Sequence, residues 1–166
     1  LSTIPNFQRT RGALRLLARA IRRTWDERPE TALLHLHHLD LSDKVIAEDL
    51  SSRLDMAEFE PVIRADIASQ PGGEMSHADE VDERTGSIHA RHLATTIYMY
   101  SLTRELPGVP APELFAAVLA PGDDVNLLQK SLDGLEAACW YLHADIRGFR
   151  FSTEASLVKI VKEAEA

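Results

Sequence analysis

Two proline–glycine pairs, Pro107-Gly108 and Pro121-Gly122, cut the second half of this 166-residue chain into helix-sized pieces. Proline lacks an amide donor and glycine turns the chain easily, so each pair ends a helix. From Ser87 onward, Leu93, Ala94, Ile97 and Tyr100 repeat at helical spacing up to the first pair. Pro110 and Pro112 open a second helix with Leu114, Phe115, Val118 and Leu119 on its apolar side. Asp123 or Asp124 caps a third, lined by Leu128, Leu132 and Leu135. The short, glycine-containing turn between the second and third has helix-turn-helix spacing. Trp140 and Leu142 then alternate with Tyr141 and His143. After "ADIRG", Phe149 and Phe151 alternate with Arg150. That pattern predicts a hairpin with a loop of about five residues. A last helix is expected to open at Thr153-Glu154 and carry Leu157, Ile160, Val161 and Ala164. Three helices followed by a hairpin is the element order of a winged helix, expected over 87–166.

Residues 1–68 read as a helical segment with one short strand. A helix from about Arg11 to Trp25 places Leu14, Leu17, Ala18, Ile21 and Trp25 in one stripe, expected to be buried. Arg11, Arg15, Arg19 and Arg22 fall on the neighbouring face, as a row of guanidinium groups or as a solvated basic face that pairs with the acidic middle of the chain. Leu34 and Leu36 alternate with His35 and His37, which suggests a strand. Two such histidines could share a metal, but no cysteine or carboxylate has convincing ligand spacing and Asp40 alone is too little, so no metal site is expected. Ser42 is placed as the N-cap of a helix over 43–54, with Ile46, Leu50 and Leu54 at helical spacing. Another helix is expected over 56–68, with Pro61 near its start. Residues 69–86 read as an acidic connector, partly helical between Met75 and Glu83.

Charge narrows the function. The net charge is −8. Residues 1–25 hold six arginines and no acid, whereas residues 26–90 hold sixteen acids against five bases. A protein built to grip a polyphosphate backbone is basic over a broad face, and only the first helix fits. The third helix of the expected winged helix carries Asp123, Asp124, Asp133 and Glu136 against Lys130 alone. Each acid would repel phosphate in a groove, so the wing, with Arg147 and Arg150, is expected to contact a neighbouring domain or subunit instead.

No GxxxxGK[ST], GxSxG, HExxH or paired CxxC motif occurs. His89, His92 and His143 read as surface or half-buried residues, and Cys139 as a core residue. A single cysteine allows no internal disulfide and fits a reducing cytoplasm. No apolar run approaches the roughly 20 residues of a membrane helix, so no membrane partner is expected. The chain opens on Leu1 rather than Met, and is expected to be a piece of a longer protein.

"RGALRLLARAIR" resembles the sensor-two helix of AAA+ ATPases, in which a Gly-x-x-Arg begins a lid helix and a winged helix follows. The match is Gly12-Ala13-Leu14-Arg15. "FQRTRGALRLLARAIRRTW", "HHLDLS", "LATTIYMYSL" and "CWYLHADIRGFRFSTEASLVKIV" resemble, in that order, segments of a prokaryotic family of predicted AAA+ ATPases, the domain of unknown function 499. The resemblance implies a mostly α fold: a helical lid segment plus a winged-helix domain with a small β-hairpin wing. It implies an N-terminal ATPase core ahead of Leu1, with ATP and magnesium bound by that parent. Arg15, supported by Gly12, would sense the nucleotide phosphate, and Arg11, Arg19 and Arg22 would form an accessory basic face. The resemblance also implies a role on or near nucleic acid, in phage-defence settings, for the parent assembly, and a homo-oligomer stays open. Two other readings stay open: a stand-alone winged-helix regulator that binds DNA, and a protein-interaction module without a ligand.

Overall fold

The computed structural model describes residues 5–27, 33–53, 57–103 and 108–156. These are mostly helical with one small antiparallel hairpin. In chain order come α1 (Pro5–Glu27), a 3-10 turn (Leu36–His38), α2 (Lys44–Arg53), a second 3-10 turn (Ala57–Phe59) and α3 (Glu60–Val62), which runs on into a π turn (Ile63–Ile67). Then follow α4 (His77–Thr85), α5 (His89–Ser101), α6 (Ala111–Val118), α7 (Val125–Ala138), β1 (Leu142–Asp145) and β2 (Gly148–Phe151).

Helix α5 is the central strut. It packs against α4, α6, α7, β2 and the Leu36–His38 turn. Its sequence allows this because Ala90, Leu93, Ala94, Ile97 and Tyr98 are all buried, giving it apolar surface on several sides. The start of α5 is fixed from α4: the Asp82 carboxylate accepts the Ala90 and Arg91 amides at 2.8 and 3.0 Å. Two orphan amides of the helix end are thereby satisfied. Burial pushes the Asp82 carboxyl above its ordinary range, against the opposing pull of those amides.

The hairpin pairs Leu142 with Phe151 and Asp145 with Gly148. Its loop is therefore Ile146-Arg147, two residues rather than about five. Val109, between α5 and α6, exchanges two 2.9 Å backbone bonds with Phe149, so a third segment lies alongside the wing. One hydrophobic core runs from Leu41, Ile46 and Leu50 through Ile67, Ala78 and Val81 to Leu128, Leu135 and Phe151. Residues 69–86, expected as a connector, thus contribute Ala78 and Val81 to that core, and α4 occupies His77–Thr85 with Ser76 as its N-cap.

Several local expectations change. Residues 34–37 form no strand. A 3-10 turn covers Leu36–His38 instead, because alternation over four residues does not separate the two and, among the described residues, no strand lies alongside to pair with them. Asp43, not Ser42, caps α2: its Oδ1 accepts the Val45 amide at 2.8 Å, while Ser42 bonds Asp40. The expected helix over 56–68 is broken into 3-10, α and π turns. Helix α1 begins at Pro5, well before Arg11, with proline in the N-terminal turn where its missing amide costs nothing. The expected last helix lies largely outside the described residues, and residues 153–156 are not helical.

Candidate functional site

Helix α1 is held to the body by a narrow inner row. Ala20 is buried and Leu16 packs on the core. Arg23 reaches Asp40 at 2.5 Å and Glu27, its own i+4 neighbour, at 2.9 Å. Asp40 also accepts from the Arg91 guanidinium at 2.7 Å, and Arg91 reaches on to Asp79 at 3.2 Å. Asp79 in turn accepts the Ser69 amide and hydroxyl. An alternating chain of charges, Arg23–Asp40–Arg91–Asp79, thus ties α1 to the start of α5.

Burial works against ionisation of Asp40 and Asp79. For Asp40, the Ser42 hydrogen bonds and the two arginines outweigh it; for Asp79, the Ser69 bonds and Arg91 do so. Both carboxyls lie below their usual range. A depressed carboxyl stabilises the fold above its unfolded value, about 3.9, and that contribution is lost only as pH falls through the folded value. The Asp40 and Asp79 carboxylates therefore stay ionised throughout the histidine range, and their own titration does not weaken the clamp there.

The stripe expected to be buried is bare. Leu14 is 60% exposed, Leu17 48%, Ile21 50% and Trp25 76%. Periodicity found the apolar face but not what covers it, since Leu16, Ala20 and Arg23, one step around the helix, do the packing. Arg11, Arg15 and Arg22 are exposed; Arg19 and Gly12 are half-buried. Arg22 folds back on Asp26 at 2.6 Å. Arg15, Arg19 and Arg22 line a shallow groove of about 870 Å³, closed on its far side by Asp43 and Val45. Gly12 and Arg15 lie within α1, past its first turn, rather than at its start.

The wing arginines form no comparable row. Arg147 forms a 2.7 Å pair with Asp145 across its own turn. Arg150 is half-buried on β2, opposite His143 in the register. The exposed side of α7 carries Gln129, Asp133 and Glu136, with Gln129 bonded to Asp133 at 2.7 Å.

A second feature escaped sequence reasoning. Beneath the Asp40 clamp, five of the seven histidines gather around two adjoining clefts of about 410 and 920 Å³. His37 and His92 stack at 3.9 Å between ring centroids, and His35 stacks on His37 at 5.0 Å. The density of "HLHH" and the i, i+3 pair His89 and His92 were the available signal, but they lie far apart in sequence. Among the described residues no group of three or more His, Cys, Asp or Glu has the arrangement to hold a metal ion. No described helix is long and apolar enough to cross a membrane.

The class that fold and site define is a helical module with a small wing and a partly bare, arginine-edged helix. Comparison with protein-family models, with curated proteins and with solved structures returns no match.

Proposed function

We propose that the chain is the lid-and-wing, coupling part of a cytoplasmic AAA+-type ATPase, with Arg15 as its phosphate sensor. The observation that carries this reading is the pairing on α1 of an uncovered apolar stripe with an arginine row in which Arg11, Arg15 and Arg22 are exposed. A solvated basic face alone has no use for Leu14, Leu17, Ile21 and Trp25 in water. A helix that seats against another body does, and seating it would carry Arg15 to a fixed place on that body. Contiguous exposed apolar residues of this kind mark interaction surfaces. The partner would be the ATPase core, which would bring ATP and magnesium. Arg11 and Arg19 would assist or face a neighbouring subunit.

A guanidinium–phosphate contact contributes roughly 1.5–3 kcal/mol. Arg15→Ala in the full-length ATPase is therefore expected to slow hydrolysis roughly 10- to 100-fold, with the circular dichroism and melting of the module unchanged. Hydrolysis at the parent rate removes Arg15 from the role. The acids of α7 and the Arg147–Asp145 pair weigh against DNA readout, so salt-sensitive DNA binding by the chain alone would favour the regulator reading instead.

A further inference from the structure

We propose that the histidine cluster beneath the α1 clamp is a proton-operated latch, closed when neutral and released on mild acidification. This stands apart from the ATPase reading. The latch is the Leu36–His38 turn, which sits on α5 and α6. Its hydrogen bonds fix the tautomers. The His35 amide donates to His38 Nδ1 at 2.9 Å, so that nitrogen holds a lone pair and the His38 proton is on Nε2. His35 Nδ1 faces the Ala117 carbonyl oxygen at 2.8 Å, and a carbonyl only accepts, so His35 carries its proton there. A proton arriving at His38 Nδ1 turns an acceptor toward an N–H that needs one. The bond that closes the turn is lost. By contrast, a proton arriving at His35 enters at Nε2 and leaves the bond to Ala117 in place.

Among the described residues, the charged groups around the latch are already committed to other partners. From α1, Arg23 and Glu27 face the cleft; from α5, His89, Arg91 and His92; from the α6–α7 turn, Asp123; and from the latch segment, Asp40 with His35 and His37. The three carboxylates among the described lining residues are engaged: Asp40 and Glu27 by arginine, Asp123 by the Ala120 amide at 2.7 Å. Arg23 and Arg91 are cations already. The face-to-face stack of His37 on His92 accepts one proton but sets a second against the first. Asp40 lies two residues beyond the turn, so opening the latch loosens the clamp that anchors α1.

The test is hydrogen exchange of the whole chain between pH 8 and 5.5, corrected for intrinsic rates. Protection of residues 35–40 and of the α1 residues near Arg23 is expected to fall below about pH 6.5, by roughly tenfold per pH unit, the slope one linked proton gives. His38→Asn keeps an oxygen acceptor for the His35 amide and cannot titrate, so its profile is expected to be flat. A flat wild-type profile, or a His38→Asn profile that falls as the wild type does, overturns the proposal. Imidazole nitrogen shifts of the wild type give a second reading independent of that variant's folding. His38 protonated on Nε2 alone at pH 8 supports the latch, and a proton already on Nδ1 at pH 8 overturns it.

Discussion

Gly148→Ala is expected to lower stability by about 3 kcal/mol or more and the melting temperature by roughly 6–12 °C. Two effects combine at this position. Gly148 has φ +117°, a conformation in which a side chain is strained. A Cβ placed there would also stand 2.3 Å from the Val109 carbonyl oxygen, which is backbone and bonded into the wing. Val109 cannot retreat without giving up its two bonds to Phe149. Gly122→Ala is the natural control. Gly122 shares the left-handed conformation at φ +96° but has open space where a Cβ would go, so it is expected to lose only the backbone part, about 1–2 kcal/mol. Thermal melts of the two variants decide the matter. Equal losses would mean that close approach to Val109 contributes nothing.

That contact also shows where sequence reading stops. The breaks after α5 and α6, the buried faces of α6 and α7, and the hairpin itself were legible, because periodicity and Pro-Gly pairs are local signals. The hairpin's two-residue loop was not. It depends on Gly148 meeting Val109, on the far side of two helices in the chain. The same holds for the site. The arginine row and the apolar stripe of α1 were both legible from winding the helix. Which of Leu14 or Leu16 faces the body was not, because that is decided by where Asp40 holds Arg23. The Asp40–Arg91 pair joins residues 51 apart, and no single-sequence pattern announces it. The histidine cluster escaped for a related reason. "HLHH" alternates well enough to pass for a strand, and only the approach of α5 turns His37 onto His92.

The direction in which α1 turns its apolar stripe separates a docking helix from a solvated one. A helix whose apolar stripe met the core would leave its arginines as a solvated face. Here the inner row is short and ends in a charge clamp, while the longer stripe faces outward. Sequence alone predicts an amphipathic helix; the structure supplies the finding that its apolar side is the open one.

The largest single-residue loss is expected at Asp66, a residue that sequence analysis passed over. Its carboxylate is wholly buried and takes three donors: the His77 ring at 2.6 Å, the Trp140 amide at 3.0 Å and the Tyr141 amide at 2.6 Å. Through it the π turn, the start of α4 and the entrance to the hairpin are joined at one point. The wider π turn is the local device that carries Asp66 to that point. Asp66→Ala takes from two backbone amides and an imidazole the wholly buried acceptor that Asp66 supplies. Each buried orphan costs about 1–3 kcal/mol, so a total of about 4–6 kcal/mol is expected, with a fall in melting temperature of roughly 10–20 °C. Asp66→Asn is expected to recover only part of this. Its amide offers one acceptor oxygen, and its NH2 group turns donors toward donors. A local reporter is built in. Cys139 is fully buried and its thiol points to the Asp66 carbonyl oxygen at 3.8 Å. If the hairpin entrance opens as the bonding pattern requires, Cys139 becomes reactive to a thiol reagent in Asp66→Ala well below the melting temperature, while it stays protected in the wild type. A variant that melts within a few degrees of the wild type and keeps Cys139 closed would mean that the three donors find other acceptors, and that packing of Leu142 and Phe151 alone holds the wing in place.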